Sequence, residues 1–319
     1  MTARPGLAIG LLLIAMVCIS INDMLIKEMS GDYPLHQIVF IRSAIGICFT
    51  MVFLQFEGGF RALKTRRPWL HALRAGLLVG ANVFFFAGLA AMPLAETSAL
   101  FFVAPLMITL LSVPVLGQRI GPRRLVACGF GFLGVLVMLA PGQGGLKDTP
   151  HLTLLLPVLA ASCYAGMQVM TRLLGSESPA SALSFYIQAG FILLGAVFWF
   201  VAGDGRFAES VNDPSLEFLL RAWRWPTPGD AWLLVLIGSM VGVLGYTIAQ
   251  AYRLGDPATL APFEYVALPL AVLWGFLIFG EVPGLRSWIG IALIVGSGLF
   301  VFLRERSRGL PPARAGRRP

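Results

Sequence analysis

The sequence predicts an all-α integral membrane protein of ten transmembrane helices, arranged as two inverted five-helix repeats. Three observations carry that prediction. Ten apolar segments of about twenty residues follow one another along the 319 residues, and a helix rising about 1.5 Å per residue crosses a hydrocarbon core of about 30 Å in roughly that length. Hydrophobic residues make up 57% of the chain and charged residues only 13%, about half the charged share of a soluble domain. The basic residues behind the net charge of +8 lie in joints between spans and in the tail, the distribution of the positive-inside rule rather than of a nucleic-acid-binding patch.

Span 1 covers 6–29, an apolar run behind Arg4 that resembles a signal sequence. Polar Asn22 and Asp23 stand where a small-residue cleavage site would be, so the segment is expected to stay as a helix. Spans 2 and 3, at 35–56 and 69–91, flank a joint carrying Arg61, Lys64, Arg66 and Arg67. Span 4, at 94–116, opens on Pro93-Leu94-Ala95-Glu96-Thr97, and span 5, at 123–140, is glycine-rich at Gly129, Gly131 and Gly134. Spans 6 and 7, at 151–173 and 181–202, lead into the longest joint, 203–229. There Leu216, Leu219, Leu220 and Trp223 fall at helical spacing among Glu217, Arg221 and Arg224, which predicts a short amphipathic helix in the membrane interface. Span 8 covers 230–253, span 9 covers 258–279, and span 10, at 286–304, is glycine-rich at Gly290, Gly296 and Gly298. Residues 305–319 read as a disordered basic tail, and Trp69, Trp223, Trp225, Trp232 and Trp288 as interface belts.

With the N-terminus inside, the inner segments hold sixteen Lys and Arg residues and the outer ones six, so both termini are expected in the cytoplasm of an inner-membrane protein. Residues 117–123, GQRIGPR, find a counterpart in 280–286, GEVPGLR, about 163 residues on. The reading is one repeat over 1–150 and a second over 151–304. Five spans per repeat force the second copy to enter the membrane upside down, the arrangement from which transporters build alternating access.

These motifs resemble the drug/metabolite transporter superfamily, in its ten-helix EamA type. The resemblance rests on Phe40-Ile41-Arg42-Ser43 in span 2, Pro93 to Thr97 opening span 4, Ala261-Pro262-Phe263-Glu264-Tyr265 opening span 9, and Gly280-Glu281 after it. It spans nearly the whole chain. The first repeat has Gly117-Gln118 where the family commonly has Gly-Glu, which points to a structural role for Glu281. The resemblance implies a bundle around a central cavity, with a small organic molecule and the bilayer as partners. Pro93–Glu96 and Pro262–Tyr265 also resemble those members that take up riboflavin or S-adenosylmethionine.

Ionisable residues inside spans cost about 2.5–3.5 kcal/mol each, so each asks for a reason. Asp23 and Lys27, four apart, share a helix face and could pair. With Arg42 and Glu96 they form an outer group of zero net charge, while Glu264 stands toward the opposite side. Asp23, Arg42, Glu96 and Glu264 are therefore the candidates for proton coupling or a charge network. Substrate-binding candidates are Asn82, Phe86, Tyr164, Gln168, Tyr246, Gln250 and Tyr265, with Phe101, Phe102 and Thr247 beside them. Aromatics combined with a few amides suit flat polar rings. Arg74 and His36, near span ends, are expected to snorkel or be solvated.

No GxxxxGK[ST] motif occurs, the three histidines lie at span ends, and the four cysteines form no CxxC. Neither ATP drive, intramembrane catalysis, a bound metal nor any cofactor is expected. The leading expectation is a secondary transporter taking up riboflavin or a similar flat heterocycle. Export of amino acids or drugs by the same architecture stays open, as do a structural membrane protein without a cavity and assembly as a homodimer.

Overall fold

The computed structural model describes residues 5–56, 58–65, 67–117, 121–140, 151–174, 180–208, 211–254, 260 and 263–307. They are helical almost throughout: α1 (Pro5–Met29), α2 (Leu35–Phe56), α3 (Pro68–Ala91), α4 (Leu94–Phe101), α5 (Ala104–Leu116), α6 (Pro122–Leu139), α7 (His151–Leu174), α8 (Ala180–Ala202), α9 (Pro214–Leu220), α10 (Pro228–Leu254), α11 (Ala267–Phe279) and α12 (Leu285–Ser307). Six apolar segments of 20–24 residues are long enough to cross a bilayer, and four shorter apolar helices accompany them among the described residues. The protein is an all-α, multi-span membrane protein.

Span 4 is not one helix. It breaks at Phe102 and Val103 into α4 and α5, because Pro105 has no N–H and its ring would meet the carbonyl four residues earlier, on Phe101. Span 9 shows a similar break: Tyr265 and Val266 form a turn before α11, four and three residues ahead of Pro269. Both α5 and α11 then end at a left-handed glycine, Gly117 and Gly280, each at φ 66°. Only glycine takes that conformation without strain. The tail from residue 308 lies outside the described residues.

The strongest packing runs between the two halves of the chain. α1 packs on α10, α3 on α7, α2 on α8, α4 on α11 and α6 on α12. At the α6–α12 crossing the backbones nearly touch, since a Cβ on Gly134 would lie 2.9 Å from the Gly290 carbonyl oxygen. Small residues allow this close approach where lipid removes any hydrophobic drive for helices to associate. The outward faces are apolar, with Leu125, Phe130, Phe200 and Leu277 exposed. Arg42, Arg74, Glu96, Asn22 and Gln188 are buried inside. That distribution is what lipid as solvent requires.

α9 forms where the sequence predicts it, but on a different face. Asp213 caps it by accepting from the backbone N–H groups of Ser215 and Leu216. Phe218 is fully buried while Leu216 is exposed, because α9 lies down on α3. Arg221 tethers its end by donating to the Ser30 carbonyl, and Gln37 donates to the Arg224 carbonyl. Trp69, Trp225, Trp232 and Trp288 are exposed as expected. Trp223 is not: it stacks on His36 at 6.0 Å between ring centroids.

Candidate functional site

The interior polar residues gather in three groups. The first centres on Arg42, two turns into α2 and only 4% exposed. Its Nη2 donates to Asn82 Oδ1 of α3 at 2.8 Å, and Asn82 is itself steadied by donating to the Leu78 carbonyl. The guanidinium lies 5.3 Å from the ring centres of both Phe86 and Phe191, so two rings from α3 and α8 hold the cation. Asp23 of α1 acts electrostatically on Arg42 and accepts from Asn22 Nδ2 at 2.9 Å. Arg42 Nε and Asn22 Oδ1 are buried without a hydrogen-bond partner among the described residues.

The second group closes one end of the bundle. Lys27 Nζ contacts Glu281 Oε1 at 2.5 Å and donates to the Met92 carbonyl at 2.8 Å. Glu281 Oε2 accepts the Leu94 backbone N–H at 2.8 Å, so one carboxylate both pairs with α1 and caps the start of α4. Glu96, 1% exposed, lies within the field of this pair and takes a hydrogen bond from Ser287. Lys27 therefore pairs across 254 residues with Glu281, not with Asp23 one turn away. The reason is direction: Asp23 is drawn to Asn22 and Arg42, while Lys27 reaches the carbonyl and carboxylate that α4 and the α11–α12 joint present.

The third group lies around Tyr164 of α7, whose hydroxyl accepts from Gln168 Nε2 at 2.8 Å. The charges of Arg74 and Glu264 both act on this phenol. Arg74 is 8% exposed and its Nε donates to Thr171 Oγ1 at 2.7 Å. It is a buried interhelical tie rather than a snorkelling residue. His36, 3% exposed and stacked against Phe198, is likewise buried rather than solvated. Tyr265, at the turn before α11, stacks on Phe102 at 5.2 Å, and a Cβ on Gly298 would collide with its hydroxyl.

An aromatic chain links the first and third groups. Phe86 meets Phe85 at 5.3 Å, Phe85 meets Phe101 at 5.2 Å, and Phe101 meets Tyr164 at 5.4 Å. Thus Asp23, Arg42, Asn82 and Phe86 come together, as do Tyr164, Gln168 and Glu264, while Glu96 belongs to the Lys27 group. The side chains of Tyr246 and Gln250 lie outside the described residues. Phe191 carries no signal of its own in the sequence, because the same span holds three other phenylalanines, Phe185, Phe198 and Phe200. Gln188, the lone amide of α8, is 5% exposed and was findable by its polarity alone. A groove of about 490 Å³ between α6 and α12, lined by Val126, Phe130, Leu293 and Phe300, shares no residue with these groups. It opens on the apolar perimeter.

Comparison with known proteins fits this construction. The profile of the EamA-like transporter family matches residues 6–140. A riboflavin transporter of Rhizobium johnstonii is 31% identical over 282 residues, 88% of this chain and 85% of the relative. The chain belongs to the EamA-like transporter family. An S-adenosylmethionine uptake transporter of Rickettsia prowazekii is 26% identical over 295 residues, 92% of each chain. A solved crystal structure aligns at a TM-score of 0.64 with 22% identity, covering 95% of this chain and 99% of that one, and shares the fold. In this family setting the buried ionisable groups sit in a transporter interior.

Proposed function

We propose that this protein is a secondary transporter of the inner membrane that takes up riboflavin or a closely similar flat heterocycle by alternating access. The observation that carries the reading is the Arg42 group, a buried cluster of balanced charge with polar atoms left unpaired. A fully buried orphan costs about 1–3 kcal/mol, which a polar solute entering the bundle would offset. The riboflavin transporter among its relatives supplies the substrate class. The S-adenosylmethionine transporter marks the second reading.

The halves act as inverted repeats in this scheme. The matching caps Gly117 and Gly280 and the paired helix breaks support it. So do the matching polar positions Asn22 with Gln168 and Arg42 with Gln188, each 146 residues apart. Both termini face the cytoplasm, by the charge count of the joints, so the Lys27–Glu281 pair closes the periplasmic end. Glu264, toward the cytoplasmic end, carries the coupling proton, taking it where water reaches and releasing it after the bundle reorients.

The test is uptake of radiolabelled riboflavin into a riboflavin-auxotrophic bacterium expressing the chain, with and without a protonophore. Saturable uptake that collapses with the protonophore is the expected result. Absence of uptake by well-inserted protein would discard the flavin and move the search to S-adenosylmethionine and then to exported substrates.

A further inference from the structure

We propose that Arg42 and Asn22 form the specificity element of the transport site, reading an imide or lactam edge, O=C–N–H, on the substrate's ring. The proposal rests on the riboflavin reading above and deepens it.

Hydrogen-bond chemistry argues for this edge. Arg42 donates one N–H of Nη2 to Asn82, and its guanidinium lies 5.3 Å from the centres of the Phe86 and Phe191 rings. Of the N–H groups that remain, Nε–H is fully buried and has no acceptor among the described residues. On α1, Asn22 gives one amide N–H to Asp23, and its Oδ1 is a buried acceptor with no donor among the described residues. Both residues are more than nine-tenths buried, at 4% and 6% exposed. The two orphans belong to one cluster, because Asp23 is hydrogen-bonded by Asn22 and acts electrostatically on Arg42. One missing acceptor and one missing donor within that cluster match the complement of O=C–N–H.

Charge narrows the class further. Asp23 and Arg42 already balance, so the complementary solute is neutral at this edge. A carboxylate would satisfy Arg42 yet leave the Asn22 oxygen facing another acceptor. An adenine edge also pairs an N–H donor with a ring-nitrogen acceptor, so it is the riboflavin reading that selects the carbonyl form. The pyrimidinedione edge of a flavin supplies a carbonyl and the adjacent N3–H together. Planarity matters as well: a guanidinium tied to Asn82 presents a directional N–H, which a lysine ammonium would not.

The experiment measures competition against radiolabelled riboflavin uptake by the intact chain, using unlabelled riboflavin and its N3-methyl derivative. The methyl group removes the one donor and leaves the ring system, the ribityl chain and both carbonyls. N3-methylriboflavin is expected to compete at least 10-fold more weakly than riboflavin. In an Asn22→Leu variant that gap is expected to close to within 2-fold. Equal competition by the two compounds in the parent protein would overturn the proposal and leave riboflavin transport standing, the orphans then being satisfied by water. Absence of any riboflavin uptake by the parent would overturn the underlying reading and this proposal with it.

Discussion

Replacing Glu281 by Gln tests whether the Lys27 ion pair is a gate or only a brace. The carboxylate makes two contacts, 2.5 Å to Lys27 Nζ and 2.8 Å to the Leu94 N–H. Glutamine can keep the second through its carbonyl oxygen and loses the charge of the first. Deleting one member of a fully buried pair costs about 3–5 kcal/mol. Here the side chains are 11% and 22% exposed, and Lys27 keeps the Met92 carbonyl, so the loss is nearer about 2 kcal/mol. The pair joins α1, α4 and the α11–α12 joint, and under the alternating-access proposal it holds only while this end is shut. Opening should therefore become easier by about the same amount, a factor of about 30 in the equilibrium. The assay places a cysteine at Ser98, buried two residues beyond Glu96 on α4, in a chain whose four native cysteines are replaced by alanine. Its reaction with a membrane-impermeant maleimide is followed from the side that the proposed topology assigns to this end, the periplasm. A rise of at least 10-fold in labelling rate is expected. An unchanged rate, with a lowered melting temperature, would show that the pair only stabilises the fold.

Arg42→Lys keeps the charge but loses the planar fork held by Asn82 and two rings, so riboflavin uptake should fall more than 10-fold at normal membrane levels. Glu264→Gln should retain downhill exchange of substrate while losing the dependence of uptake on the pH gradient; persistence of that dependence would move the coupling role elsewhere. Gly290→Ala would drive a Cβ to 2.2 Å from Met138 Cγ and 2.9 Å from the Gly134 carbonyl, and should cost about 1–3 kcal/mol in detergent unfolding. Gly296→Ala meets open space on the same helix and should leave that transition unchanged.

Span positions were legible in the sequence because hydrocarbon thickness sets a length and lipid tolerates few charges. α2 occupies 35–56 as read, and α1, α3, α6 and α8 begin within a residue of their predicted starts. The helix breaks were only half visible. Pro105 and Pro269 stand in the sequence, yet proline in a membrane helix can kink it, start it or interrupt it. Only the neighbours that take up the freed backbone groups decide which.

Partner choice was the least legible feature. Asp23 and Lys27 satisfy the one-turn rule for pairing, and Lys27 nevertheless pairs with Glu281. Local spacing ranks contacts within a helix, whereas the low dielectric inside the bundle rewards whichever opposite charge packing brings nearest. Arg74 and His36 were misread for the same reason. Distance from a span end was taken to measure exposure, but Thr171, and the rings of Phe198 and Trp223, enclose them.

Composition and periodicity alone determined that this chain crosses a membrane many times, because only a helix can satisfy its own backbone in lipid. The sequence also determined which few polar residues had to be explained, since each is costly in hydrocarbon. Which of those residues meet was decided by tertiary structure: Arg42 with Asn82 and Phe191, Lys27 with Glu281, Tyr164 between Arg74 and Glu264. Those contacts join residues up to 254 positions apart. Their geometry is fixed by how small residues let helices approach and by how prolines break them, and no local pattern encodes that.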